Sequence, residues 1–265
     1  MSFLDHGYQK FDGILSARLI ADARSSLVEI LPKLSPGHPL WESIVPISCL
    51  KPSRNPGISS QRTENIPFIL NELPRFSVHF LNLILNQELW DAAKQILQSE
   101  SIIYHFSNVT RKPAYLGPNL SWHRDYPNEY ICPEDSNCFF RALIPLEAMS
   151  EDNGCTEIIP NTHVVSDAFA QEAKRSQIID FNTTETIPLC GQPGDMIAIH
   201  PKIVHGGREN RSNYDRNLVV IQFGRPATRY IWQCPELYSG FTREEMCEQG
   251  AAATPSHHTP LSSEG

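Results

Sequence analysis

Apolar residues recur at helical spacing through ILSARLIADARSSLVEILPKL, residues 14–34, where Ile14, Leu15, Leu19, Ile20, Leu27, Ile30 and Leu31 share one side of a 3.6-residue repeat. This predicts an amphipathic helix ending near Pro32, because proline lacks the N–H that a helix interior needs. A second helical stretch is expected over about 74–98, clearest in QELWDAAKQILQS. Between them, residues 35–61 are rich in Pro, Ser and Gly and read as a long loop, of the length that lids and binding loops have. From residue 102 the period changes. IIYHFSNVT (102–110), CFFRALIPL (138–146), TEIIP (156–160), DMIAIH (195–200) and NLVVIQFG (217–224) are short, rich in β-branched and aromatic residues, and bounded by Pro, Gly, Asn or Asp. They read as strands, interrupted by a helical insert at roughly 166–176.

Helices first and many short strands afterwards predict a mainly β, α+β fold: a barrel or double-sheet sandwich with helices packed outside. The expected organisation is one domain over 1–242, with a helical N-terminal part (1–100) and a β core (101–242). Residues 243–265 end in GAAATPSHHTPLSSEG and are expected to be a disordered tail that carries His257 and His258.

Composition narrows the partners. The chain has 265 residues, 40% hydrophobic and 20% charged, which suits a globular protein with a sizeable core. A net charge of -8 disfavours nucleic acid and anionic membrane surfaces as partners. MSFLDHGYQKF does not read as a signal peptide, and FLNLIL at 80–85 is too short to span a bilayer. Seven cysteines without a CxxC pair read as reduced thiols. The expectation is a cytoplasmic protein, monomer or homodimer, acting on a small molecule.

The chemistry gathers in LSWHRDYPNEY, residues 120–130. In an extended segment His123 and Asp125 point the same way, with Arg124 turned aside. An imidazole and a carboxylate two residues apart form half a site for a divalent metal, although such pairs also arise as ordinary polar residues. Downstream, His200 and His205 both offer a third ligand, and Arg216 opens an apolar strand where its charge needs an anion. Two histidines and a carboxylate on one side of a metal make the facial triad of non-haem Fe(II) oxygenases, which leaves positions open for co-substrates. Arginine suits the far carboxylate of 2-oxoglutarate because its fork pairs bidentately. Arg141, within CFFRALIPL, also needs a partner: a structural ion pair or an acidic group of the substrate. Gln222 lies an even number of residues from Arg216 and is a further candidate for the same face.

These residues carry a resemblance. Trp122-His123-Arg124-Asp125, then DNGCTEIIPNTH (152–163), then HPKIVHGG (200–207), then Arg216 eleven residues after His205, occur in the order seen in the phytanoyl-CoA dioxygenase family of Fe(II)/2-oxoglutarate oxygenases. The likeness covers roughly 100–225 well and the N-terminal helices loosely. It implies a double-stranded β-helix, or jelly roll. It makes His123, Asp125 and His205 the iron ligands and Arg216 the anchor for 2-oxoglutarate, and it places Lys112, before a proline in TRKPAY, against that co-substrate. His200 becomes a strand residue beside the site, and His163 a structural residue of the PNTH turn, where Asn161 stands for the usual glycine. The implied cofactors are Fe(II), 2-oxoglutarate and dioxygen. The implied reaction is oxidation of an unactivated C–H bond, by hydroxylation, with release of succinate and carbon dioxide. Desaturation, cyclisation and epimerisation are other outcomes of the same chemistry, whereas Asp125 argues against halogenation, since related halogenases have Gly or Ala there.

The loops at 35–61 and 164–186 are expected to flank the mouth, where Arg54 and Arg62 could meet an anionic substrate. Readings of other classes are a barrel that binds metal and a small acid without turnover, and a metal-dependent isomerase or hydrolase, which would not need Arg216.

Overall fold

The structure, a computed structural model, describes residues 3–50, 63–168 and 185–253. Most of the expected insert at 166–176, together with Arg54, Arg62, His257 and His258, lies outside them.

Two antiparallel sheets face each other. With β1 (Tyr8–Phe11), β2 (Ile44–Pro46), β3 (Pro67–Asn71), β4 (Ile103–Lys112), β7 (Phe139–Pro145), β10 (Met196–Ile199) and β12 (Arg216–Gly224), the larger runs in the order β1-β10-β7-β12-β4-β3-β2. The smaller is β5-β11-β8-β9, from β5 (Leu120–His123), β8 (Thr156–Ile159), β9 (Ile187–Leu189) and β11 (Val204–Gly207). A separate ribbon pairs β6 (Ile131–Pro133) with β13 (Tyr230–Gln233). This is the expected double-stranded β-helix.

Alternation along β12 shows how the sequence divides the core. Val219, Ile221 and Phe223 join Phe140, Ala142 and Ile144 of β7 in the cluster under the helices. Leu218 and Val220 join Leu143, Ile197 and Ile158 in the cluster between the sheets. A central strand covered on both faces has no polar side, which is why NLVVIQF reads as a continuous apolar run. On the inner face that run is interrupted at Arg216 and Gln222, and across the strands at Lys112 and Arg141.

The first expected helix is α2 (Ala17–Ile30), following the short α1 (Phe3–His6); Ser16 Oγ accepts from Leu19 N–H as its N-cap. The stretch at 74–98 divides into α3 (Val78–Ile84) and α4 (Gln87–Leu97), because Asn86 Oδ1 caps a new helix by accepting from Leu89 N–H at 3.2 Å. The N-terminal part is not purely helical, which corrects the expectation for 1–100: β1, β2 and β3 supply both edges of the large sheet, and β2 lies inside the stretch read as a loop. Strands of three to five residues are too short for a period-2 pattern to stand out.

The expected tail also needs correction. Arg243–Ala253 form a helix, α5. Thr242 and Glu245 cap it reciprocally, Thr242 N–H giving to Glu245 Oε2 at 2.8 Å and Glu245 N–H to Thr242 Oγ1 at 3.3 Å. Arg243 donates to Leu85 O at 2.7 Å, and Met246 is buried in the core cluster. The Ala/Gly-rich composition hid this because one buried methionine is enough to dock a short helix. Met246→Ala is accordingly expected to cost about 2–4 kcal/mol in urea unfolding; a change below about 0.5 kcal/mol would show α5 to be undocked.

Candidate active site

His123 ends β5 and His205 lies in β11, and the two are direct cross-strand partners in the small sheet. Side chains of such a pair stand together on one face, and the imidazole centroids are 4.2 Å apart. Asp125 follows β5, its backbone N–H held by Pro201 O at 2.9 Å. Its carboxylate lies 3.7 Å from His123 Nε2 and 3.5 Å from His205 Nε2. One atom from each residue falls within 4.8 Å of the other two, a grouping able to hold a metal ion.

The second interactions favour coordination. His123 Nδ1 lies 2.7 Å from Ser121 O, and His205 Nδ1 lies 3.1 Å from Ile203 O. A carbonyl only accepts, so each Nδ1 carries the proton and each Nε2 presents a lone pair. Burial pulls His123 down to about 4, which keeps it neutral at physiological pH. Burial alone would raise the Asp125 carboxyl, but Arg141, then His205 and His123, hold it below its ordinary value. Asp125 Oδ2 is buried without a hydrogen-bond partner. An orphaned carboxylate oxygen beside two convergent imidazole lone pairs fits a divalent cation.

His200 is not part of this group. Its Nδ1 accepts from Lys202 N–H at 3.1 Å and its Nε2 meets Asn137 Oδ1 at 3.1 Å, so both nitrogens are committed. His163 packs on Gly7 and lies 3.1 Å from Leu4 O, a structural place as expected, and Asn161 takes the left-handed conformation at φ 63°. Arg124 turns away to Asp167, at 3.1 Å.

A family model described as Phytanoyl-CoA dioxygenase (PhyH) matches residues 5–218. The chain belongs to the phytanoyl-CoA dioxygenase family. Among curated relatives of this family member, the multifunctional dioxygenase prhA of Penicillium brasilianum is 28% identical over 167 residues, 61% of this chain and 54% of that protein. The dioxygenase aneA of Aspergillus aculeatus is 31% identical over 154 residues, 54% of this chain and 48% of that one. The chain thus spans about half the length of the curated relatives it matches. The crystal structure of AviO1 from Streptomyces viridochromogenes has the same fold, with a TM-score of 0.68 at 18% identity over 86% of this chain and 93% of that one.

In this phytanoyl-CoA dioxygenase family chain, a second group stands deeper on the large sheet. Arg216 and Lys112 are paired across β12 and β4 and are almost wholly buried. Arg216 donates only to Thr110 O and Gly154 O, each at 3.3 Å, and its Nε has no partner. Lys112 Nζ donates to Arg208 O. Burial brings Arg216 down to about 10; burial, and then the Arg216 charge, push Lys112 well below the usual lysine range. Neighbouring Arg111 shows the contrast, paired with Asp215 at 2.9 Å. Glu157 and Glu209, whose fields reach Lys112, are taken by Arg208 at 3.0 Å and Arg211 at 2.8 Å. Two buried cations without a carboxylate in ion-pair reach, among the described residues, are costly unless an anion joins them. A carboxylate of a small dicarboxylic acid fits this cradle.

Two candidate substrate contacts have partners within the protein. Gln222 does share the inner face, but Nε2 lies 2.6 Å from Ile131 O and 2.8 Å from His105 Nδ1, and Oε1 accepts from Asn128. Fully buried and saturated, it holds the segment after Asp125 in place of a substrate. Arg141 has its anion within the protein: NH1 is 2.9 Å from Asp125 Oδ1. Sequence reading missed that tie, because nothing in either strand signals which residues meet across two sheets.

Burial pulls both His105 and His200 to about 3, well below the roughly 6.5 of an exposed imidazole. Unfolding exposes them, so the unfolded chain binds more protons below about pH 6.5. Their contribution is fully present above that pH and is lost as pH falls toward their folded values. Each adds a slope of about 1.4 kcal/mol per pH unit. The metal-free protein is expected to unfold at lower urea at pH 5 than at pH 7, and His200→Gln should flatten that dependence; equal slopes would remove His200 as a contributor.

Proposed function

We propose that this chain is an Fe(II)- and 2-oxoglutarate-dependent dioxygenase that hydroxylates an unactivated C–H bond of a small-molecule metabolite. The observation that carries this reading is the pairing of an open His123–Asp125–His205 cluster with an uncompensated Arg216–Lys112 cradle inside one barrel. A barrel that only bound metal would need no buried anion site, and a metal-dependent hydrolase or isomerase would not need Arg216.

His123, Asp125 and His205 would hold the iron, and Arg216 with Lys112 would take the far carboxylate of 2-oxoglutarate. When bound, the iron and its 2-oxo acid supply the oxidising power, coupling decarboxylation to succinate with oxidation of the substrate by dioxygen. The protein's share is geometry and electrostatics. The Ser121 and Ile203 carbonyls fix the imidazole tautomers. Leu218, Val220 and Leu143 line the apolar interior and exclude water near the site. A solved structure of the same fold supports the cofactor assignment by likeness: EctD from S. alaskensis, crystallised with 2-oxoglutarate and 5-hydroxyectoine, matches with a TM-score of 0.64 at 19% identity, over 84% of this chain and 74% of that one.

The test is succinate release from Fe(II), 2-oxoglutarate and oxygen in the presence of candidate metabolites, with mass analysis of the product. A gain of one oxygen atom supports hydroxylation; loss of two hydrogens assigns desaturation or cyclisation, and an unchanged mass epimerisation. Metal binding without succinate would remove the dioxygenase reading.

A further inference from the structure

We propose, resting on the metal-binding reading above, that Arg141 is a positioning residue that occupies Asp125 Oδ1 and so leaves Oδ2 as the oxygen offered to the ion. A carboxylate can ligate through one oxygen or both, and taking both would consume a position that an oxygenase must keep for co-substrates. Here the two oxygens are already unequal. Oδ1 lies 2.9 Å from Arg141 NH1. Oδ2 is buried, has no hydrogen-bond partner, and lies 3.5 Å from His205 Nε2.

The position of Arg141 is built, not incidental. It stands on β7 of the large sheet, while Asp125 follows β5 of the small one, so the ion pair ties the two sheets at the metal group. Arg141 pairs with Gln222, and Gln222 with Phe106, giving one row across β7, β12 and β4. Directly paired residues share a face. Within that row the Arg141 guanidinium lies over the Phe106 ring, 5.1 Å from its centroid, and Phe106 packs against Tyr130, with ring centroids 4.8 Å apart and planes tilted by 32°. Gln222 holds Ile131 O and Asn128, and Asn128 Oδ1 accepts from Tyr130 N–H. The row therefore seats residues 125–131 as a unit: Arg141 takes the carboxylate, Phe106 the tyrosine ring, and Gln222 the backbone. Arg141 is partly buried and its charge is paired with Asp125 through NH1, while its Nε makes no hydrogen bond among the described residues.

The test measures Co(II), as an oxygen-stable probe, binding to the metal-free protein by calorimetry and by its visible absorption. Arg141→Met keeps the apolar stem and removes the fork; the Co(II) Kd is expected to rise about 10–100-fold, the range for losing a residue that orients a ligand, with an altered Co(II) spectrum. Arg141→Lys, with a compact point charge in place of the planar fork, is expected to lose less. Should the methionine variant fail to fold, the lysine variant decides alone: a weakened Kd with a changed spectrum supports the proposal, and wild-type values overturn it. Folded variants that bind Co(II) as wild type and change only the KM of an organic substrate would overturn it in favour of substrate contact. Wild type that binds no Co(II) would remove the underlying metal reading, and this inference with it.

Discussion

His205→Ala is expected to abolish specific Fe(II) binding, raising the metal Kd by more than about 100-fold, beyond the range that changes in supporting residues produce. Three candidate ligands converge within 4.8 Å, and removing one would leave an imidazole and a carboxylate, too few to enclose a face of an ion. The same change at the neighbouring candidate, His200→Ala, should leave metal affinity within a few-fold of wild type. Its cost falls on folding instead, roughly 1–3 kcal/mol, because truncating the buried His200 ring leaves a cavity and ends its bonds to Asn137 and Lys202. Anaerobic titration with Fe(II), alongside urea unfolding, reads both effects. Loss of metal in the His200 variant with retention in the His205 variant would reverse the ligand assignment.

Arg216→Met is expected to weaken 2-oxoglutarate binding by about 30-fold or more, as for removal of one partner of a buried charge pair. It should also leave the melting temperature of the metal-free protein unchanged or higher. The reason is the state of the residue before any ligand arrives. Arg216 is 2% exposed, has no carboxylate in ion-pair reach among the described residues, leaves its Nε without a partner, and lies beside Lys112. A cation buried so costs folding free energy, and methionine fills much of the same space without the charge. Better stability together with lost ligand binding is the signature of a group kept for function. The check is the visible band of the anaerobic Fe(II)–2-oxoglutarate complex, with thermal unfolding in parallel. A variant that melts lower and binds 2-oxoglutarate normally would make Arg216 a structural residue.

Much of the site was legible because its spacing follows strand geometry. His123 and Asp125 lie two apart at the end of a strand, and Arg216 opens a long, largely apolar strand, where a charge stands out. The pair Arg111 and Lys112 shows the limit. They are adjacent in TRKPAY, yet Arg111 turns outward to Asp215 and Lys112 turns inward to Arg216. Which of two neighbouring cations faces the interior depends on the register of β4 against β12, and that is set by pairings about a hundred residues apart. The edge strands β1 and β2, and β3 beside β2, were missed for a related reason: three to five residues carry too little pattern, and they are strands because neighbouring strands pair with them. The capping box of α5 was present in Thr242 and Glu245 and was overlooked beneath a small, polar composition.

The sequence by itself determined the change from helices to short strands, the apolar run of the strand after Arg216, and the identity of the charged residues that break the strands, since periodicity and residue chemistry are local properties. Only the tertiary structure grouped His205 rather than His200 with His123 and Asp125, gave Gln222 and Arg141 partners within the protein, and set Lys112 beside Arg216. Those outcomes depend on which faces of two sheets meet, and that contact is made between residues far apart along the chain.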